Sequence, residues 1–150
     1  MYAVGGLTDV GFAESADVLL AEGRGVFDCR EAGLLARDDD TDFGFDVGNL
    51  QVAGIGPLSH TLVRTSGLHG GGLAVTTVDG WGLERHPLSW PDDEFFLSPP
   101  GQTMLWQPPG DEMRLTKFAG FSSEVRAFGF SPTGKTFIFA TAADISVFGR

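Results

Sequence analysis

The sequence predicts an all-β protein built from antiparallel hairpins. Three observations support this prediction. The 150 residues include 22 glycines and 8 prolines, short apolar runs alternate with Gly/Pro/Ser turns, and only residues 15–22 and 30–37 have a composition that a helix tolerates. Glycine accepts a positive φ and proline presets φ near −65°, which are the conformations that tight turns need. Frequent turns between apolar runs are typical of strands joined into hairpins.

Two segments of the chain share one pattern in register. Residues 97–106 and 130–139 both read apolar, Ser, Pro, any, Gly, polar, Thr and then three apolar residues. Each segment is interpreted as the end of one strand, a Pro-x-Gly turn and the start of the next strand.

Weaker copies of this pattern surround the two segments. Residues 10–20 resemble the stretch that begins at Phe128, the strand predicted at residues 25–28 recurs at 145–148, and residues 73–81 look like 138–146. The sequence is therefore interpreted as a single domain of about four blade-like units, at residues 7–38, 50–88, 91–118 and 123–150. A period of a few tens of residues is typical of propellers and solenoids.

Residues 125–148 run through a turn at residues 131–135, a strand, a hairpin that contains Asp144 and a further strand. They resemble a WD40-type β-propeller repeat, and residues 7–28 resemble it in part. The resemblance implies a small or incomplete β-propeller-like scaffold of antiparallel blades that serves recognition. It departs from the family at Phe148-Gly149, where a Trp-Asp pair is usual. An irregular β-sandwich of ordinary hairpins is the alternative.

The apolar residues of these predicted strands form the expected core. The set is Phe12, Leu19, Val26, Phe27, Val75, Leu105, Phe128, Phe130, Phe137, Ile138 and Phe148.

Charge and composition restrict the function classes. Twenty acidic and ten basic residues give a net charge of −10, which argues against nucleic acid as a partner and favours a basic protein. The first twenty residues carry Asp9, Glu14 and Asp17 where a signal peptide would be apolar, and no apolar stretch approaches the ~20 residues that span a bilayer. We expect a cytoplasmic protein that does not bind membranes.

No catalytic or metal constellation is evident in the sequence. His69-Gly70-Gly71-Gly72 matches the oxyanion loop of lipase-like esterases, but no serine has the Gly-x-Ser-x-Gly context, so a hairpin loop is expected. The spacing of His60, His69 and His86 fits no metal site. Cys29 is the single cysteine of the sequence, so no internal disulfide can form, and it is expected to be a small buried side chain. We predict no enzyme and no cofactor.

Two acidic segments are the predicted partner-binding sites. Asp38, Asp39, Asp40 and Asp42 form a loop that lacks the Gly and Glu of an EF-hand, so it is interpreted as a solvated acidic surface, with calcium binding left open. Trp90, Asp92 and Asp93 lie in a proline-rich segment where an exposed Trp can anchor a partner.

These observations predict a non-catalytic module that binds a basic protein, in the manner of bacterial immunity proteins or antitoxins. Two alternatives stay open. One is a carbohydrate-binding protein that stacks a sugar on Trp90 or Trp106, and the other is a hydrolase that uses Asp92, Asp93 or Glu94. Homo-oligomerisation is also open.

Overall fold

A computed structural model of the chain confirms the all-β prediction. It describes residues 2–14, 16–21, 25–31, 33–37, 49–89, 91–110, 112–121 and 123–150. Within these ranges one short 3-10 helix spans Gly56–Leu58 and every other regular element is a strand. No helix in this part of the chain is long and apolar enough to cross a lipid bilayer.

The described residues form fourteen strands, numbered in chain order. They are β1 (Tyr2–Ala3), β2 (Asp9–Phe12), β3 (Val18–Ala21), β4 (Gly25–Asp28), β5 (Gly33–Arg37), β6 (Gln51–Ala53), β7 (Leu62–Arg64), β8 (Ser66–Gly67), β9 (Gly82–Ser89), β10 (Asp92–Ser98), β11 (Thr116–Phe118), β12 (Val125–Phe130), β13 (Thr136–Thr141) and β14 (Asp144–Gly149).

The strands belong to two compact units. The larger unit comprises Met1–Ala74 and Ser122–Arg150, and the smaller unit comprises Val75–Phe121. The larger unit contains sheets of order β5-β4-β3-β2-β8, β1-β14-β13-β12 and β6-β7, and the smaller unit contains β11-β10-β9. All pairs of strands are antiparallel. Each of these sheets is open, and none closes into a barrel within the described residues.

Two three-stranded meanders of the larger unit are built alike. In the first, β2–β4, Gly11 faces Leu20; in the second, β12–β14, Gly129 faces Ile138. Each residue of the first pair thus lies 118 positions before its counterpart (129 − 11 and 138 − 20). The connecting loops correspond too, because the Ala13 amide donates to the Val18 carbonyl and the Ser131 amide to the Thr136 carbonyl, both at 2.9 Å. The two segments that resemble each other in sequence therefore fold into equivalent meanders.

The two meanders share one apolar core. Alternate residues of a strand point to opposite faces of the sheet, so Leu19 and Leu20 of β3 enter different clusters. Leu19 packs in a cluster that includes Ile138 of β13, whereas Leu20 packs with Val52 and Val63 of the β6–β7 hairpin. Because Ile138 is the counterpart of Leu20, unlike faces of the two meanders meet. This is head-to-tail stacking, the arrangement that repeat proteins use.

The opposite face of β12–β14 carries phenylalanines. Phe130, Phe137 and Phe139 are each at most 2% exposed, and Phe137 stacks on Phe148 with ring centroids 5.3 Å apart. Most of the predicted core is buried in the structure. Phe12, Phe128 and Phe148 are partly exposed.

Two predicted core residues of the smaller unit are exposed, and the prediction was wrong for both. Leu105 is 85% exposed and Val75 is 39% exposed. Leu105 lies at the tip of a tight turn, in which the amides and carbonyls of Thr103 and Trp106 bond reciprocally. Trp106, which ends the same turn, is 57% exposed.

The two Pro-x-Gly segments do not form equivalent turns, which corrects the sequence interpretation. Ser131–Thr136 joins the paired strands β12 and β13, and the Gly134 amide donates to the Ser131 carbonyl. In the other segment the Gln102 amide donates to the Pro99 carbonyl, so the turn is displaced by one residue. The strand before it, β10, pairs with β9 and β11 and not with the residues that directly follow the turn. Shared turn residues fix a reversal of the chain but not which strands pair.

Other segments of the chain approach the two meanders closely at Gly11 and Gly129, and substitutions at these glycines test that close approach. A Cβ on Gly11 would overlap the carbonyl oxygen of Arg64, and one on Gly129 would overlap the Leu73 side chain and lie 2.8 Å from the Ala74 carbonyl oxygen. Because such overlap forces backbone shifts, we expect Gly11→Ala and Gly129→Ala each to lower the free energy of unfolding by about 1–3 kcal/mol.

The control is Gly33→Ala in β5, where an added Cβ meets no atom within 4 Å. Urea unfolding followed by circular dichroism measures the three variants. If Gly33→Ala lowers the free energy of unfolding as much as Gly11→Ala does, the predicted close approach at Gly11 is contradicted.

Candidate functional site

A recess with three carboxylates opens beside the loop between β2 and β3. The cavity measures about 390 Å³, and its lining residues are Ala16, Asp17, Val18, Asp28, Arg30, Glu31 and Thr133. We call it the acidic recess. Thr133 comes from the β12–β13 loop, so the recess forms where equivalent loops of the two meanders meet.

Asp17 is the central group of the acidic recess. Its side chain is 2% exposed, and its Oδ1 accepts a 2.6 Å hydrogen bond from the Thr133 hydroxyl. Its Oδ2 is buried without a hydrogen bond. Since a buried carboxylate is costly unless it is paired, this oxygen can accept an incoming donor or cation.

Arg30 is the only basic group among the described residues that line the acidic recess. Its Nε lies 3.8 Å from Oδ2 of Asp17, and its side chain is 60% exposed. That distance is too long for a hydrogen bond, and an ion pair of this kind with an exposed partner contributes little to stability. Arg30 is therefore held loosely enough to make way for another cation.

Asp28 orders the loop that follows β4. Its Oδ1 accepts hydrogen bonds from the amides of Arg30 at 2.9 Å and Glu31 at 3.0 Å. This local turn, in which an Asp side chain accepts from nearby backbone amides, fixes the backbone at Arg30 and Glu31 but not the Arg30 side chain. The recess combines three carboxylates with one guanidinium, so it favours cations.

Cys29 lies between these acids and is buried, which confirms the prediction of a small buried side chain. Burial, followed by the charges of Asp17 and Asp28, raises the pKa of Cys29 to about 12. The thiolate is the nucleophilic form of cysteine, and a thiol with this pKa is almost entirely protonated at neutral pH. The buried Cys29 thiol is therefore poorly suited to act as a nucleophile at neutral pH.

Only part of the predicted partner surface falls within the described residues. Asp38, Asp39, Asp40, Asp42 and Trp90 lie outside them. Asp92 and Asp93 are described, and both lie on β10 of the smaller unit.

The described acids of β10 differ in their pairing. Asp92 is exposed, whereas Oδ2 of Asp93 accepts a 2.7 Å hydrogen bond from Nε of Arg85. Glu94 is buried and lies 2.6 Å from Nζ of Lys117. Neutralisation by Arg85 and Lys117 leaves Asp92 as the acid of this strand that faces solvent.

Two histidines lie close to carboxylates, one in each unit of the described structure. In the larger unit, Nδ1 of His69 is 2.6 Å from Oδ2 of Asp9, a carboxylate that is fully buried. In the smaller unit, Nε2 of His86 is 3.4 Å from Oε1 of Glu84. Within the described ranges, no three His, Cys, Asp or Glu side chains group in a way that could hold a metal ion.

No sequence motif indicated the acidic recess. Asp17 and Thr133 are 116 residues apart, and no motif links them. The correspondence of the two meanders is the one signal that could have found it, because it places the loops at residues 13–17 and 131–135 in equivalent positions.

No family model, curated protein or solved structure matches this chain.

The pKa of Cys29 predicts slow alkylation of the folded protein. Thiolate abundance falls about tenfold for each pKa unit, so at pH 8 iodoacetamide should modify the native chain roughly 1000-fold more slowly than the urea-unfolded chain. The native rate should rise with pH up to about 12, whereas the unfolded rate should level off once the pH passes an ordinary cysteine pKa. Mass spectrometry of quenched samples measures both rates. Alkylation rates of the native and unfolded chains within tenfold of each other at pH 8 would refute the raised pKa of Cys29.

Proposed function

We propose that this protein is a non-catalytic recognition module for a basic protein, and that a Lys or Arg side chain of the partner enters the acidic recess. The single observation that supports the proposal best is the buried Oδ2 of Asp17, which has no hydrogen bond. A cationic donor at this oxygen would form a charge-assisted hydrogen bond, a stronger class than neutral pairs.

The surroundings of Asp17 support a cation over a neutral donor. Asp28 and Glu31 line the same cavity, and of its described lining residues only Arg30 carries the opposite charge. The cavity volume of about 390 Å³ has room for a long basic side chain. Displacement of Arg30, which is already largely exposed, would cost little.

The charge of the whole chain supports the same class of partner. A net charge of −10 attracts a basic protein over long range and raises its association rate at low salt. Blockade of a basic partner, as by an immunity protein or antitoxin, is the biological form that we propose. The WD40-type resemblance, in which sheets present recognition loops, agrees with it. A cytoplasmic location is part of the same proposal.

The test uses the arginine side chain and its neutral isostere as probes. Nα-acetylarginine amide is titrated into the labelled protein and followed by the NMR amide shifts of Cys29, Arg30 and Glu31. Nα-acetylcitrulline amide, which has the same shape without the charge, serves as the control ligand. We expect saturable shifts with the arginine derivative and none with the citrulline derivative.

Matched variants locate the binding site. Asp17→Asn keeps an oxygen for Thr133 and removes the charge, so we expect about tenfold weaker binding of the arginine probe. Asp92→Asn removes one exposed charge from the smaller unit and should leave the affinity within twofold. A tenfold rise in salt should weaken binding to the wild type. Equal binding of both probes, or equal effects of the two variants, would overturn the proposal.

A further inference from the structure

A second cavity of the larger unit has the opposite chemical character. It measures about 490 Å³, within the range of small-molecule sites. Phe12 and Phe130, which are counterparts in the two meanders, both line it, together with Leu50 and Leu73. We call it the aromatic cavity. Most of its lining is apolar, so an apolar ligand body fits it.

Among the described residues that line the aromatic cavity, Arg64 is the only charged one. Its side chain is exposed at the end of β7. No residue in the described part of the chain forms a hydrogen bond or ion pair with its guanidinium. A guanidinium offers five donors in a planar fork that matches carboxylate, sulfonate or phosphate oxygens. An anionic group is therefore its natural ligand.

The wall of the aromatic cavity is held in a strained conformation. Leu50 has a φ of 53°, which is uncommon for a residue other than glycine. Its carbonyl accepts hydrogen bonds from the Thr65 amide at 2.8 Å and the Thr65 hydroxyl at 3.2 Å. Strain of this kind persists where the surroundings enforce it, and it is concentrated at functional sites.

Gly71 completes the wall and needs its glycine. Its φ is 81°, and a Cβ there would lie 2.8 Å from the Thr65 carbonyl oxygen and 3.2 Å from Cδ1 of Leu50. Leu50, Thr65 and Gly71 thus interlock. The cavity has a fixed wall, and binding there need not order it.

We propose that the aromatic cavity binds a small organic anion with an aromatic body. The body packs against the cavity lining that includes Phe12 and Phe130, where offset or edge-to-face ring contacts are favourable. The anionic group bonds to Arg64. Because the chain carries a net charge of −10, long-range electrostatics oppose an anion. The apolar body therefore supplies most of the affinity, and Arg64 supplies selectivity.

A pair of fluorescent probes tests this site directly. 8-Anilinonaphthalene-1-sulfonate has an aromatic body and one sulfonate, and N-phenyl-1-naphthylamine has nearly the same body without the anion. We expect the sulfonate to bind the native protein with 1:1 stoichiometry and about tenfold more tightly than the neutral probe. Equal affinities of the two probes, or the absence of stoichiometric binding, would overturn the proposal.

Variants of exposed arginines assign the selectivity. Arg64→Gln should weaken binding of the sulfonate about tenfold and leave the neutral probe unchanged, whereas Arg64→Lys keeps the charge without the planar fork and should retain only part of the preference. Arg37→Gln, at an exposed arginine of β5, removes the same charge away from the cavity and should change neither affinity. Unchanged thermal melting shows that each variant is folded. Equal losses in Arg64→Gln and Arg37→Gln would refute the role of Arg64.

Discussion

The larger unit depends on one shared apolar layer, in which unlike faces of two equivalent meanders pack together. Leu19 of the first meander and Ile138 of the second are both completely buried in it. Head-to-tail stacking of this kind makes each meander depend on its neighbour, since each of the two sheets buries one apolar face against the other. It also aligns the two strand-connecting loops, and this alignment brings the Thr133 hydroxyl to Asp17.

The two cavities follow from the same stacking but favour opposite ligands. The acidic recess combines Asp17 with other carboxylates, whereas Arg64 is the one charged residue in the described lining of the aromatic cavity. One loop contributes to both, because Thr133 lines the recess and its neighbour Pro132 lines the cavity. A short, hydrogen-bonded turn thus connects the two cavities.

Local patterns in the sequence predicted more of the fold than of the site. Turn residues and apolar runs predicted the strand class, and the likeness of residues 10–20 to those after Phe128 predicted matching hairpins. Pairing partners were not predictable, because a Pro-x-Gly turn does not specify which strands lie beside it. Burial was not predictable at Leu105 for a similar reason. Its apolar side chain is exposed because the segment closes into a tight turn and not into a strand. The recess joins residues more than one hundred positions apart, a separation that no spacing rule covers.

The interdependence of the two meanders is the central claim, and native-state hydrogen exchange measures it most directly. Amide exchange is recorded at increasing denaturant for the central strands, β3 and β13, which share the apolar layer. If the meanders form one cooperative unit, amides of both strands exchange with the same opening free energy, equal to that of global unfolding. An opening of β3 at clearly lower free energy, while β13 stays protected, would contradict the account.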